Sequence, residues 1–173
     1  KNIEGLNIFL NRNKLNNDFI IHLYGNKKIL DEELSKLNIS NNLVKVIHAE
    51  SVVSDEVSPL TAIKNSKNTS MWNSINAQVN GEADISLSAG NTGVLFVISK
   101  MILKMMNKVS KPALAGLWPS KKGMSVVLDL GANIECDEKN LIDFSEMGAA
   151  LFKSIFPNQK PYVALLNIGS EEM

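Results

Sequence analysis

Ser88-Ala89-Gly90-Asn91-Thr92-Gly93 is the stretch whose residue types and spacing are best suited to chemistry. A short apolar run, Asp84-Ile85-Ser86-Leu87, precedes it, and a long one, Val94 to Met106, follows. The order predicts a strand, a tight turn and a helix. Glycines let main-chain N–H groups face one point, and the unpaired N–H groups of a new helix face it too. Asn91 and Thr92 add side-chain donors beside those amides. Such a turn suits phosphate or a phosphate-like group. The same residues also suit plain chain reversal, because Gly, Asn and Thr are the usual turn and N-cap residues. They match neither the dinucleotide fingerprint nor the P-loop, since no Lys-Ser or Lys-Thr pair follows Gly93.

Two further strand ends carry small polar turns: Asp129-Leu130-Gly131-Ala132-Asn133 and Asn167-Ile168-Gly169-Ser170-Glu171. In a parallel α/β sheet all three turns lie on one rim, at the carboxyl ends of the strands where ligands bind. Glycine-bearing turns with Asn, Asp and Glu gathered there point to a site without naming its reaction.

The composition narrows the field. The 173 residues are enough for one domain with a sizeable core, and 45% hydrophobic with 21% charged residues is ordinary for a soluble globular chain. Eighteen basic residues balance eighteen acidic ones, so no global field recruits nucleic acid or an anionic membrane. Arg12 is the single arginine, which leaves lysines and backbone amides to hold any phosphate. Cys136 is the single cysteine and excludes an internal disulfide or a cysteine cluster for zinc; a reducing cytoplasm is the simplest setting. A nucleophilic Cys136 lacks a partner in the sequence, since His22 and His48 fall in other apolar segments. No signal peptide opens the chain. Val94 to Met106 is interrupted by Ser99, Lys100 and Lys104 and falls short of the ~20 residues of a membrane span. It reads as a buried helix with both lysines on one exposed edge. Met101, Met105 and Met106 can line a lipid surface, although core packing is the commoner use of such residues. The missing initiating Met and the end just after an apolar strand lead us to expect a fragment, a single α/β domain over 1–173 incomplete at both ends.

Helical spacing covers Ile3 to Leu10, Lys28 to Leu37, Met71 to Val79 (with Asn80-Gly81 as a stop), and Lys139 to Phe156. Strands are expected at Phe19 to Tyr24, Leu43 to His48, Asp84 to Leu87, Ala113 to Trp118, Ser125 to Asp129 and Tyr162 to Asn167. Continuous apolar strands separated by helices predict a parallel sheet covered on both faces.

These motifs closely resemble the phosphate acyltransferase family of bacterial phospholipid synthesis, PlsX. The resemblance is carried by Ser88 to Gly93, Asp129 to Asn133 and Leu165-Leu166-Asn167-Ile168-Gly169-Ser170-Glu171-Glu172. Val46-Ile47-His48-Ala49-Glu50, Gly81-Glu82-Ala83-Asp84, Lys111-Pro112-Ala113 and Glu146-Met147-Gly148-Ala149 follow in the family's order. Thr69-Ser70-Met71-Trp72 and Ala115-Gly116-Leu117-Trp118-Pro119 look most like its alphaproteobacterial branch. Nearly the whole chain is covered. The family's opening Asp-Ala-Met-Gly-Gly-Asp turn and its later Lys-Gly-Asn segment have no counterpart, and Lys64-Asn65 stands where the family usually has two arginines.

The resemblance implies a three-layer α/β/α fold with a mainly parallel sheet, related to isocitrate dehydrogenases and phosphate acetyltransferases. It implies transfer of a fatty acyl group from acyl carrier protein to inorganic phosphate. The acyl phosphate then feeds a downstream glycerol-3-phosphate acyltransferase. It implies no cofactor and no metal, a homodimer, and a cytoplasmic setting with peripheral membrane association left open. On this reading Asn91, Asn133 and Asn167 are the catalytic candidates, orienting phosphate or polarising the thioester carbonyl. Ser88, Gly90, Thr92, Gly93, Asp129, Gly131, Gly169 and Glu171 are the phosphate or substrate contacts. Asp129 and Glu171 serve equally well as structural caps, because carboxylates repel phosphate. The alternatives are a non-catalytic anion-binding or interaction module and a phosphate-acetyltransferase-like enzyme.

Overall fold

The computed structural model describes residues 1–12, 19–39, 42–54, 61, 64, 66–121 and 123–166. Five helices and four strands are described: α1 (Asn2–Arg12), β1 (Ile21–Gly25), α2 (Lys27–Lys36), β2 (Val44–His48), α3 (Ser70–Val79), α4 (Thr92–Leu103), β3 (Gly116–Ser120), β4 (Gly123–Val127) and α5 (Glu138–Ile155). They group into two compact units, Lys1–Lys104 and Met105–Met173. The chain is α/β, with one parallel and one antiparallel strand pair.

In the first unit β1 and β2 run parallel, in register from Ile21↔Val44 to Gly25↔His48. The Leu43 carbonyl accepts from Ile21 N–H at 2.8 Å, and Gly25 accepts from Ala49 N–H at 2.8 Å. Helix α2 packs on both strands and α3 packs on β1. The core lies between α3 and α4, where Met71, Ile75, Val94 and Ile98 bury one another. Their i, i+4 spacing gives each helix a single apolar stripe. Thr69 caps α3, accepting from Trp72 N–H at 3.2 Å while its own hydroxyl donates to the Ser66 carbonyl at 2.7 Å. The predicted Asn80-Gly81 stop is in place, with Gly81 at φ +71°.

Helix α4 ends less comfortably. Its C-cap is Lys104, at φ 63° and ψ −175°, a region that is essentially glycine's and costs a side chain about 1–3 kcal/mol. Glycine's extra unfolded-state freedom offsets up to ~1 kcal/mol of any relief. Lys104→Gly is therefore expected to raise stability by about 1 kcal/mol, read as a higher denaturant midpoint; an unchanged or lower midpoint would remove the strain argument.

In the second unit β3 and β4 form an antiparallel hairpin, paired from Gly116↔Val127 to Ser120↔Gly123. Helix α5 packs on β4. A reciprocal capping box fixes its start: Asp137 Oδ1 accepts from Asn140 N–H at 2.8 Å and Asn140 Oδ1 accepts from Asp137 N–H at 3.2 Å. Asn140 is buried and donates onward to Ser110 Oγ at 2.7 Å.

Three expected strands differ. Asp84 to Leu87 opens on a bend at Asp84 and has no ladder partner among the described residues, and Ile85 and Leu87 stand 82% and 94% exposed. The described part of Tyr162 to Asn167 likewise has no ladder partner. A strand is defined by its neighbour's hydrogen bonds, and apolar alternation alone does not supply one. The strand expected at Ala113 to Trp118 lies instead at Gly116–Ser120 and includes Pro119, which an edge strand tolerates. Lys100 and Lys104 are exposed as expected, whereas Met101 and Met106 are exposed rather than packed in the core. No helix among the described residues is long and apolar enough to cross a membrane.

Candidate functional site

The Ser88–Gly93 turn is positioned by α3 and completed by α4. Ser86 Oγ donates to the Ser74 carbonyl at 2.6 Å and Gln78 Nε2 donates to the Asp84 carbonyl at 3.0 Å. These two bonds tie the segment before the turn to α3 and so fix where Ser88 emerges. At Gly90 the chain runs over Met71: a Cβ there would lie 3.0 Å from Met71 Cε.

Asn91 is the N-cap of α4. Its Oδ1 accepts from Val94 N–H at 3.0 Å, and its carbonyl accepts from Leu95 N–H at 2.9 Å. Ser88 Oγ accepts from Gly90 N–H at 3.2 Å. That arrangement occupies the amides of Gly90, Val94 and Leu95. Thr92 and Gly93, in the first turn of α4, have no helical carbonyl to donate to, and both residues are exposed. Their two N–H groups sit at the positive end of a twelve-residue helix. The turn is therefore a cap that leaves two amides without a helical carbonyl, with the Thr92 hydroxyl beside them.

The second turn is built differently. Asp129 Oδ1 accepts from Leu114 N–H at 2.8 Å. Its Oδ2 accepts from the Asn133 backbone N–H at 2.7 Å and from Asn133 Nδ2 at 3.0 Å. Asn133 Nδ2 also donates to the Pro112 carbonyl at 2.8 Å. Both amide protons of Asn133 are thereby engaged. Partial burial pushes the Asp129 carboxyl up, but the donors on Leu114, Asn133 and Ala132 outweigh it and hold the group below its ordinary value. Gly131, at φ +85°, makes the bend that brings Asn133 back to the carboxylate. Asp129 and Asn133 form a staple that ties this turn to residues 112–114.

Of the sequence-derived candidates, Ser88, Gly90, Asn91, Thr92 and Gly93 come together in the first unit, and Asp129, Gly131 and Asn133 in the second. Asn167, Gly169 and Glu171 lie outside the described residues. Cys136 is exposed in the second unit.

One feature escaped the sequence. Where β1 and β2 end, Asn26, Lys27, Lys28, Asp31, Glu32 and His48 line an open cleft of about 680 Å³. His48 Nδ1 accepts from Lys27 N–H at 3.3 Å, which puts the proton of the neutral ring on Nε2. The cleft depends on the Gly25↔His48 register, which is non-local. Two lysines and two carboxylates line it together, so it carries no strong preference for an anion.

Fold and turns together define an α/β protein with a glycine-bearing turn that caps a helix N-terminus. Residues 7–173 match the model of the family described as "Fatty acid synthesis protein", and the chain belongs to that family. It is 50% identical over all 173 of its residues to a protein of Pelagibacter ubique named "Phosphate acyltransferase", covering 50% of that protein. Proteins of the same name from Caulobacter vibrioides and Bradyrhizobium diazoefficiens are 39% and 40% identical over 87% of this chain, which spans 42% and 43% of them. The chain thus spans about half the length of the curated relatives it matches.

Proposed function

We propose that the protein carries out phosphate acyltransfer in fatty acid and phospholipid synthesis, moving a fatty acyl group from acyl carrier protein to inorganic phosphate. Family membership supports the reaction class. The observation that carries the assignment to this chain's residues is the pair of Thr92 and Gly93 amides left over once Asn91 has capped α4.

The chemistry follows from that pair. A phosphate oxygen attacks the carbonyl carbon of the acyl thioester, a tetrahedral oxyanion forms, and the C–S bond breaks. The carrier's thiolate leaves and takes up a proton, and the product is an acyl phosphate. Backbone amides suit the nucleophile because they orient phosphate without a full counter-charge that would blunt its attack. Thr92 and Gly93 supply the amides of the cradle, Ser88 and Gly90 shape the turn that leads into it, and Asn91 sets its geometry. Asp129, Gly131 and Asn133 are positioning residues, since the Asn133 amide is spent on the staple. Asn167, with Gly169 and Glu171, supplies the remaining wall and the polarisation of the thioester carbonyl. The complete protein adopts the three-layer α/β/α fold, in which Asp84 to Leu87 and Tyr162 to Asn167 join a mainly parallel sheet. It works as a cytoplasmic homodimer that passes its product to a glycerol-3-phosphate acyltransferase.

Release of free thiol from acylated carrier by the full-length protein tests this reading. Release should saturate with inorganic phosphate and fall to background without it. Equal release in the absence of phosphate would make the protein a thioesterase.

A further inference from the structure

The geometry points to Met71 as a positioning residue for the phosphate turn. Met71 is the second residue of α3 and only 6% exposed. A Cβ on Gly90 would lie 3.0 Å from its Cε, closer than side chains ordinarily pack. The φ of Gly90 is not positive, so its backbone does not itself demand glycine. The demand comes from the methionine beneath it. Past the turn, Met71 shares one buried cluster with Val94, the residue whose N–H Asn91 holds at 3.0 Å. One side chain thus lies under both ends of Asn91-Thr92-Gly93, the three residues that carry the cap and the two remaining amides.

Met71 is itself held in place. Ser70 N–H donates to the Ser51 carbonyl at 2.9 Å, and Ser51 pairs with Thr69 in a parallel bridge just past β2. The Thr69 cap then fixes the first turn of α3. Behind Met71 the cluster is closed by Ile75 and Ile98, 1% and 0% exposed. The chain that arrives at Gly90 is tied to the same helix, through Ser86 Oγ on the Ser74 carbonyl. Two amides hold an anion well only while both point at it, a geometry that tolerates about 0.5 Å of error. A methionine suits this task, because its long unbranched thioether reaches the turn from inside the core. Leucine fills a similar volume but ends closer to its own backbone.

This role rests on the acyl-transfer reading, and the experiment separates the two. In the full-length protein Met71→Leu conserves core volume, the exchange a packed interior tolerates best. It is expected to raise the phosphate KM about tenfold, a fraction of the ~100-fold that a ~1 Å misplacement costs. The KM for acylated carrier and the thermal midpoint without phosphate should stay near those of the unmodified protein. The rise in midpoint that phosphate produces should shrink, a readout that needs no turnover. Gly90→Ala should raise the phosphate KM by itself, and by much less when combined with Met71→Leu, where its methyl has room; residues in contact are non-additive in this way. A phosphate KM unchanged in Met71→Leu, or strictly additive effects of the two substitutions, would reduce Met71 to core packing and overturn the inference while acyl transfer to phosphate stands. Thiol release independent of phosphate in the unmodified protein would overturn that reading and the inference with it.

Discussion

Asn91→Asp is expected to leave the first unit as stable as before, or slightly more so, while weakening phosphate binding roughly 30-fold to 1,000-fold. Asp caps a helix as well as Asn does, so the bond to Val94 N–H survives. Its charge also favours the positive helix end by about 0.3–1 kcal/mol. A phosphate on the neighbouring amides, however, meets a carboxylate. Two like charges about 4 Å apart near a protein surface repel by up to ~4 kcal/mol, and screening brings the expected cost to about 2–4 kcal/mol. Thermal midpoint and phosphate affinity therefore move in opposite directions. Phosphate normally raises the midpoint of a protein that binds it, and in this variant that rise should vanish. Phosphate affinity equal to that of the unmodified protein would reduce the turn to a helix cap. Asn91→Ala separates the two roles from the other side, since it costs about 1 kcal/mol of cap energy without adding charge.

The second large effect belongs to Asp129. Asp129→Ala removes the acceptor for Leu114 N–H, Asn133 N–H and Asn133 Nδ2 together. Bonds to a charged acceptor are the stronger kind, and the part-buried donors left behind regain water only in part. A loss of about 2–4 kcal/mol is expected, read from the denaturant midpoint of the full-length protein. The same carboxylate gives a pH signature. Its pKa is depressed in the folded state by these donors, against the opposing effect of burial. The unfolded chain therefore binds the proton more readily, and the staple's contribution is present in full above the ordinary Asp range. It is lost as the pH falls from that range down through the depressed value. Asp129→Ala should flatten this acid limb, measured as midpoint against pH. A limb as steep in the variant as in the unmodified protein would show that other carboxylates cause it.

The helices were legible in the sequence because their signals are local. Leu30 and Leu34 space one face of α2, with Leu37 at its C-cap, and Asn80-Gly81 marks the end of α3 in both sequence and structure. Asn91 announced a cap for the same reason. The two roles of the Ser88–Gly93 turn could not be separated from residue types, because the amides left unoccupied emerge only once Asn91 is seen to hold Val94. The strands were harder, since pairing is non-local. Apolar alternation marked Asp84 to Leu87 as extended, yet the described residues provide no ladder for it. Pro119 looked like a strand terminator and instead sits inside β3 opposite Met124. Asp129 was open between ligand contact and structural cap, and the reach of its carboxylate to Leu114, fifteen residues back, is a non-local pairing that residue types do not reveal.

The central claim is that the phosphate which attacks the thioester rests on the Thr92 and Gly93 amides. Arsenate has the shape and charge of phosphate and can be located directly by its anomalous scattering. In crystals of the full-length protein grown with arsenate, the peak is expected about 4 Å from both nitrogens, with an oxygen at hydrogen-bonding distance of each. An arsenate bound instead in the cleft beside Lys27 and His48, with the Ser88–Gly93 turn vacant at saturating concentration, would contradict the account.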